Sequence, residues 1–294
     1  MEGRRQGLIM QELRGMPVAK AMLECLRDEV IQLKDEGITP KLAIVRVGER
    51  EDDLSYEKGI YKRFEAAGAL AETIVLPQEV RQEELENTIS ELNREPSVHG
   101  ILLFRPLPSS LNERRIQKLI AVDKDVDCMT EANIAYVFAG DRQGFPPCTS
   151  QAVVEILDYY GIDVCGKKVT IVGRSMVIGR PLAMQLLKKN ATVTICHTKT
   201  QNLEEECRGA DILIACAGVP RIITRSFVRQ GQVVIDVGIH VTETGLCGDV
   251  DYAEVSDMTA SITPVPGGVG SVTTSVLLKN TIEGAKRQVE GSAR

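Results

Sequence analysis

Strand-like and helix-like segments alternate along most of this chain, and that alternation constrains the fold more than any other feature. In the first half, short apolar runs predict strands at 41–48, 72–76 and 98–103. Segments with apolar residues at helical spacing lie before and between them, at 18–35, 52–67 and 82–94. This order of elements is typical of a parallel α/β sheet.

The second half continues the pattern after a break at Pro146-Pro147. Further strands are predicted at 167–173, 192–196, 211–216 and 232–237. Further helices are predicted at 151–160, 180–190, 202–208 and 272–288. We therefore expect an α/β protein of two domains, with the boundary at the two prolines and a Rossmann-type second domain.

The composition of the 294 residues excludes several classes of protein. The 35 basic and 41 acidic side chains give a net charge of −6, which argues against a nucleic-acid partner. No apolar run approaches the roughly 18 residues of a membrane span. The first residues lack the apolar core of a secretion signal, and we expect a cytoplasmic protein.

The eight cysteines are scattered along the chain without any C-x-x-C pair, and only three histidines accompany them. Without an export signal, this pattern favours free thiols over a disulfide or zinc framework. We therefore expect neither disulfide bonds nor a metal site.

The segment from Val169 to Pro181 reads VTIVGRSMVIGRP, which predicts a buried strand, a turn and the start of a helix. Gly173 and Gly179 in that turn let the backbone approach a pyrophosphate, whose charge is favoured by free N–H groups at a helix N-terminus. The spacing is G-x-x-x-x-x-G rather than G-x-G-x-x-G, so an ordinary strand-to-helix turn is the alternative interpretation.

Two cations near the predicted strand ends favour NADP over NAD. An unphosphorylated ribose is usually bound by an acidic residue after the second strand, whereas a 2′-phosphate is bound by cations. After that strand the chain reads CHTKT, and no acidic residue occurs before Glu204. Arg174, Lys199 and the Thr198 hydroxyl suit a phosphate through charge-assisted hydrogen bonds. Solvated surface charge is the alternative reading, and NAD stays possible.

Two further segments suit a ligand site. Residues 261–270 read SITPVPGGVG, and their prolines and glycines exclude a helix or a central strand. Such glycines let a loop fold closely around a ligand, although a plain connecting loop is equally compatible. Residues 236–239 end an apolar strand, where α/β domains place ligand contacts.

Five motifs occur together in chain order: DKDVD at 123–127, PCT at 147–149, GRSMVIGRP at 173–181, VIDVGI at 234–239 and TPVPGGVG at 263–270. With them, the chain resembles the bifunctional methylenetetrahydrofolate dehydrogenase/methenyltetrahydrofolate cyclohydrolase family over almost its whole length. The resemblance implies a catalytic domain at 1–147, joined by a C-terminal helix at 273–294. It also implies an NAD(P)-binding Rossmann domain at 148–272, a cleft between the domains for a tetrahydrofolate one-carbon derivative, and a homodimer.

The resemblance further implies roles for individual residues. Tyr56 and Asp127 are the implied catalytic residues. The implied folate-binding residues are Tyr56, Asp127, Pro266, Gly267 and Gly268. The implied cofactor-binding residues are Gly173, Arg174, Ser175, Ile178, Gly179, Thr198, Lys199 and Ile239.

The chain departs from the family pattern at two positions of the substrate site. The family carries a Tyr-x-x-x-Lys pair on one helix, and here Ile60 follows Tyr56 at the lysine position. Phe104 stands where the family has a glutamine beside that lysine. Lys58 and Lys62 lie about 200° around the helix from position 60. Replacing both members of a buried polar pair leaves no unsatisfied group, so the two changes form a coherent remodelling.

We therefore expect NAD(P)-dependent oxidation of methylenetetrahydrofolate in one-carbon metabolism, with cyclohydrolase activity lost or impaired. Hydride transfer needs two aligned ligands and no protein nucleophile, whereas hydrolysis needs a positioned acid or base. One alternative is a family member recruited to another substrate, with Arg105 as a new anion contact. Another is a non-catalytic relative that only binds folate or nucleotide.

Overall fold

The computed structural model describes residues 10–243 and 245–292, which form two compact units with separate sheets. We call them the six-stranded unit, made of residues 10–18 and 149–272, and the three-stranded unit, made of residues 19–148 and 273–292. Within the described ranges, no helix combines the length and the apolar character that crossing a membrane requires.

The strands of the described residues are β1 (Gln11–Glu12), β2 (Lys41–Val47), β3 (Leu70–Leu76), β4 (Gly100–Leu103), β5 (Lys168–Val172), β6 (Thr192–Cys196), β7 (Ile212–Ala215), β8 (Gln232–Asp236), β9 (His240–Thr242), β10 (Gly245–Cys247) and β11 (Thr259–Ile262). The α-helices are α1 (Gly15–Asp35), α2 (Glu51–Ala67), α3 (Gln82–Arg94), α4 (Glu113–Leu119), α5 (Glu131–Ala139), α6 (Cys148–Tyr159), α7 (Gly179–Lys188), α8 (Leu203–Arg208), α9 (Tyr252–Val255) and α10 (Thr273–Ser292). Short 3-10 helices lie at Arg225–Phe227, Ser256–Met258 and Val269–Ser271.

The larger sheet has the strand order β1-β11-β8-β7-β5-β6, and every neighbouring pair is parallel. From β5 the chain first goes outward to β6 and then returns past β5 to β7. The strand order therefore reverses at β5, and ligands of open α/β sheets bind beside the carboxyl ends of strands at such a switch point. The expected Rossmann-type domain is confirmed.

The inner strands of this sheet are buried because helices and loops cover both of their faces. All four residues of β7 are buried, and the same holds for Val169–Val172 of β5. Apolar side chains from the strands form a core with Cys207 of α8 and Val255 of α9. Continuous apolar runs of this kind are characteristic of parallel strands covered on both faces.

Residues 10–18 belong to the six-stranded unit, not to the N-terminal domain in which the expected bounds place them. The physical reason is backbone pairing, because Gln11 and Glu12 lie parallel to β11 at the sheet edge. The pairing continues where Leu13 N donates to Ile262 O at 2.7 Å and Gly15 N donates to Gly267 O at 2.8 Å. Nothing in the local pattern of this segment indicates a partner so distant in sequence.

The three-stranded sheet has the order β3-β2-β4, again with parallel pairs. On one face, Ala43, Val45 and Val47 of β2 pack in a core with apolar residues of α3 and α4. The C-terminal helix α10 contacts α2 and β4 of this unit. The two-domain α/β architecture expected from the sequence is thus confirmed.

The predicted elements differ from the structure mainly where an element is short. Helix α3 lies where it was expected, and β2 ends one residue earlier than expected. The sequence pattern did not predict α4, α5, the antiparallel β9–β10 hairpin or β11. Elements of three to nine residues give too little periodicity to detect, and β11 occupies the start of a segment whose prolines and glycines indicated a loop.

Candidate functional site

Helix α2 presents Tyr56 to a buried group of side chains in the three-stranded unit. Its ring lies 5.9 Å from the ring of Phe104, centroid to centroid, with an angle of 37° between the planes. Burial raises the pKa of the Tyr56 phenol well above its usual value, and the nearby acidic groups Cys148 and Asp127 raise it further, while a hydrogen bond with Thr273 opposes them. The phenol is therefore neutral at physiological pH and can act as a hydrogen-bonding group.

Asp127 lies in the same group, on the loop between α4 and α5. Its Oδ1 atom accepts a hydrogen bond from the Cys148 backbone N–H at 3.1 Å. Burial raises the pKa of the Asp127 carboxyl, while hydrogen bonds from Cys148 and the positive charge of Arg105 partly oppose that effect. Tyr56 and Asp127, predicted together from the resemblance, interact electrostatically in the structure.

A second carboxylate, Asp125, fixes the loop that carries Asp127. Its two oxygens accept hydrogen bonds from the backbone N–H groups of Met129 and Thr130, each at 2.8 Å. The Thr130 hydroxyl and the Asn133 amide donate to it at 2.7 and 2.8 Å. Sequence reasoning missed this role, because the acidic motif at 123–127 does not show which carboxylate faces inward.

The two positions that the sequence predicts to depart from the family pattern are buried and apolar. Ile60 is 0% exposed and Phe104 is 7% exposed, whereas Lys58 and Lys62 are both exposed. An exposed ammonium on the outer face of α2 cannot reach the inner face without rotation of the helix. On the inner face of α2 and across from it, Tyr56 therefore has an aliphatic and an aromatic side chain as buried neighbours.

In the six-stranded unit, the turn between β5 and α7 has a backbone that only glycine fits. Gly173 has a φ of 135°, and a Cβ atom there would lie 2.2 Å from Cys216 O. A Cβ atom on Gly179, the first residue of α7, would lie 2.2 Å from Gly173 O. Ser175 Oγ accepts a hydrogen bond from Ile178 N at 3.1 Å and shapes the rest of the turn. The close approach brings the N-terminus of α7 to the carboxyl end of β5.

The predicted phosphate-binding side chains lie at the same edge of the sheet. Arg174 follows β5, and Thr198 and Lys199 follow the neighbouring strand β6; all three are exposed. His197 organises the second loop, because its Nδ1 atom accepts a hydrogen bond from Lys199 N at 3.1 Å. Two cations and a hydroxyl around a helix N-terminus suit a phosphorylated nucleotide.

A cavity of about 170 Å³ lies beside the end of β8 in this unit. Ile239, Pro266, Gly267 and Gly268 all line it, so the structure brings the predicted folate-binding loop together with one predicted cofactor residue. A Cβ atom on Gly268 would lie 2.5 Å from Pro264 O, so the loop packs tightly against itself.

Asp236 stabilises one wall of this cavity from inside the protein. It is 3% exposed and accepts hydrogen bonds from the backbone N–H groups of Gly238 and Asp249 at 3.0 Å and of Val250 at 2.9 Å. Burial raises its pKa to about 6, against the opposing effect of these hydrogen bonds. Asp249 in turn pairs with His240 Nε2 at 2.7 Å. These roles were missed because they connect a strand end with a hairpin.

All eight cysteines lie in the described part of the chain and carry free thiols. Burial raises the pKa of Cys148 and Cys128, so neither thiol is activated as a nucleophile. Among the described residues, no group of three or more His, Cys, Asp or Glu side chains could hold a metal ion.

Fold and site together define a two-domain α/β protein with a Rossmann-type dinucleotide-binding domain. The catalytic-domain model of the tetrahydrofolate dehydrogenase/cyclohydrolase family matches residues 13–127. The NAD(P)-binding domain model of the same family matches residues 147–289. The chain belongs to the tetrahydrofolate dehydrogenase/cyclohydrolase family, and its second domain is the NAD(P)-binding domain of that family.

Individual relatives match over nearly the whole chain. The bifunctional protein FolD of Clostridioides difficile (strain 630) is 53% identical over 279 residues, which cover 95% of this chain and 97% of that protein. The crystal structure of the bifunctional FolD enzyme from Campylobacter jejuni has a TM-score of 0.92 at 39% identity and covers 95% of this chain and 99% of its own. The Trypanosoma brucei enzyme, complexed with NADP cofactor and inhibitor, has a TM-score of 0.90 at 35% identity, with 95% and 98% covered.

Proposed function

We propose that this chain oxidises methylenetetrahydrofolate to methenyltetrahydrofolate with NADP, and that its hydrolysis of the methenyl product is lost or impaired. The observation that carries the second half is the buried pair Ile60 and Phe104 beside Tyr56. The competing function is the intact bifunctional enzyme, which the 53% identity to a relative named for both activities favours.

In the proposed reaction, the three-stranded unit holds and orients the folate. The Tyr56 ring flanks the pterin, and the Asp127 carboxyl hydrogen-bonds to it from a position fixed by Cys148 N. Oxidation breaks a C–H bond of the methylene carbon, both electrons leave with the hydrogen, and the carbon becomes the methenyl cation. No protein nucleophile takes part, so alignment of the reacting carbon is the contribution required of these residues.

The six-stranded unit fits the cofactor. When bound, NADP supplies the nicotinamide ring that accepts the hydride. We propose that its pyrophosphate lies against the turn formed by Gly173, Ser175, Ile178 and Gly179. Arg174, Thr198 and Lys199 would hold the 2′-phosphate, and such contacts would favour NADP over NAD. Ile239 would contact the cofactor, and residues 266–268 of the same cavity the folate.

Hydrolysis of the methenyl product makes a different demand on the protein. A water molecule must be activated and protons must be moved, and a positioned acid or base contributes typically about 10²–10⁴-fold to such a step. Ile60 and Phe104 can neither donate nor accept a proton from the inner face. The retained Tyr56 and Asp127 supply orientation, but no ammonium faces them from the inner side of α2 within the described chain.

Two spectrophotometric assays on the purified protein test this proposal. Absorbance of the reduced nicotinamide, with methylenetetrahydrofolate and either NADP or NAD, measures oxidation; we expect turnover, faster with NADP. Absorbance of methenyltetrahydrofolate measures hydrolysis; we expect decay at the uncatalysed rate. Absence of reduced nicotinamide with both cofactors contradicts the dehydrogenase and favours the non-catalytic relative or another substrate.

A matched pair of variants sharpens the hydrolysis assay. I60K/F104Q restores both polar groups of the family pattern together and is expected to gain hydrolysis, because the glutamine gives the buried ammonium a partner. I60K alone is expected to lose stability without gaining hydrolysis, because its charge is buried unpaired. Rapid hydrolysis by the unaltered protein establishes the intact bifunctional enzyme instead.

We also propose that the chain assembles as a homodimer, as the family resemblance implies. Sedimentation velocity over a range of protein concentrations tests the assembly directly. A species of twice the chain mass that persists on dilution supports it, and a single species of the chain mass contradicts it.

A further inference from the structure

A buried cation lies close to the substrate site without belonging to it. The side chain of Arg46, on β2, is 6% exposed and pairs with Glu57 of α2, whose side chain is 15% exposed. Arg46 Nε donates to Glu57 Oε2 at 3.0 Å. A second guanidinium nitrogen of Arg46 donates to the backbone carbonyl of Gly48. An arginine fork can hold two acceptors in fixed directions in this way.

The Arg46–Glu57 ion pair links the end of β2 to α2. Ala43, Val45 and Val47 pack on the α3–α4 face of the sheet, so Arg46 lies on the opposite face, where Glu57 meets it. Gly48 has a φ of 76°, and the N-cap residue Arg50 makes no side-chain capping bond with any described residue. The Arg46 guanidinium therefore provides the side-chain link between the strand end and the first turns of the helix.

The carboxyl end of β2 also contacts Phe104, the second ring of the aromatic pair that Tyr56 forms. Phe104 N donates to Val45 O at 3.0 Å, and Val45 precedes Arg46. Tyr56, whose ring contacts Phe104, precedes Glu57 on α2. Neighbouring residues of one strand thus fix both rings: Val45 through its backbone, and Arg46 through Glu57.

We propose that Arg46 and Glu57 are positioning residues that set the rotation of α2, and through it the orientation of the Tyr56 ring toward the folate. This inference rests on the proposed folate oxidation. Two charges removed from water are costly to keep, and a well-packed apolar pair at such a place is often equally or more stable. An apolar pair does not fix direction, whereas a guanidinium fork does.

The double variant R46M/E57L tests the proposal, because it removes both charges and leaves neither one buried alone. The matched control is K41M/E72L, which removes the ion pair at the other end of β2, where Lys41 meets Glu72 on β3 at 2.5 Å. For R46M/E57L we expect the KM for methylenetetrahydrofolate to rise about tenfold, since misplacement of a ligand by a fraction of an ångström is costly. The KM for NADP and the melting temperature of R46M/E57L stay close to those of the unaltered protein. In the control K41M/E72L, both KM values and the melting temperature stay unchanged.

Equal KM values for methylenetetrahydrofolate in R46M/E57L and K41M/E72L overturn the proposal. If R46M/E57L fails to fold, E57D decides the matter. It keeps the charge but shortens the side chain by one methylene, and we expect a several-fold rise in the same KM. An E57D protein with an unchanged KM contradicts the positioning role.

Failure of the proposed function gives a different result. If the unaltered protein does not turn over methylenetetrahydrofolate, equilibrium titration with tetrahydrofolate replaces kinetics. A dissociation constant about tenfold higher in R46M/E57L than in K41M/E72L then supports the positioning role without the reaction. Equal dissociation constants, or no binding by the unaltered protein, overturn it.

Discussion

The candidate site of one unit is formed mainly by the backbone, whereas that of the other unit is formed mainly by side chains. In the six-stranded unit, the turn from β5 to α7 depends on backbone geometry at Gly173 and Gly179, and the polar side chains around it are exposed. In the three-stranded unit, the corresponding group depends on side chains, above all the buried Phe104 and the half-buried Tyr56 and Asp127. A site made of backbone keeps its shape when side chains change, whereas a site made of side chains changes its chemistry with each substitution.

This contrast bears on Ile60 and Phe104, the two positions that the sequence resemblance predicts to depart from the family pattern. Both side chains are accommodated in the core of the three-stranded unit, where they present apolar surface. An equivalent change at Gly173 or Gly179 would force a Cβ atom into a backbone carbonyl. Substitutions are therefore accommodated more easily among the side chains of the three-stranded unit than in the glycine turn.

The largest effect that the comparison predicts is on the substrate side. Asp127→Ala removes the carboxylate that Cys148 N contacts, and we expect kcat/KM for methylenetetrahydrofolate to fall about a hundredfold. Hydrogen bonds to charged groups contribute about 1.5–3 kcal/mol, which accounts for a change of this size. Steady-state kinetics at saturating NADP measure it, with the exposed Asp123→Ala as control. A loss of less than twofold in Asp127→Ala would contradict a role of this carboxylate in folate turnover.

A smaller effect is expected from the buried carboxylate of the six-stranded unit, and on stability rather than on folate turnover. Burial raises the pKa of Asp236 to about 6, so the folded state holds its proton more tightly than the unfolded state does. Its contribution to stability is therefore greatest at low pH and is lost as the pH rises through about 6. Relative to Asp236→Asn, the unaltered protein should lose about 2 kcal/mol of unfolding free energy between pH 4.5 and pH 7.

Urea denaturation of both proteins at the two pH values measures this difference, because the titration of all other groups cancels in the comparison. Asp257→Asn, which makes the same substitution at an exposed carboxylate of the same unit, serves as the matched control. A difference between the unaltered protein and Asp236→Asn that is the same at both pH values rules out the raised pKa.

The smallest effect is expected from the exposed cations of the cofactor site. R174A/K199A should raise the KM for NADP about tenfold and leave the KM for NAD unchanged, because only the 2′-phosphate loses partners. Lys167→Ala, at the amino end of β5, serves as the control for removing positive charge from this unit. Equal losses with NADP and NAD would show that the cations hold the shared pyrophosphate and not the 2′-phosphate.

The sequence predicts the parts of the fold that local physics determines. The apolar runs at β5 and β7 and the glycine turn before α7 are determined within a few residues, so their place in a Rossmann-type sheet follows from pattern alone. The edge strand β1 and the hairpin of β9 and β10 depend on partners that no local pattern indicates.

The candidate site divides in the same way. Gly173 and Gly179 are recognisable from their spacing, whereas Tyr56 and Asp127 are identified through the family register. The pairing of Arg46 with Glu57 is not predicted from the sequence, because the two residues lie eleven positions apart and become partners only when β2 and α2 pack together. A local sequence pattern therefore does not indicate such a pair.

The two-residue strand β1 has a practical consequence for dividing this protein into parts. A fragment cut to residues 149–272 would contain the sheet from β11 to β6 but not the segment that covers β11. The exposed backbone of that strand would then offer hydrogen-bonding groups to other molecules, a common origin of aggregation. Attaching residues 10–18 to the fragment through a flexible linker would shield the strand, and the soluble yield of the two fragments would show how much protection so short a strand provides.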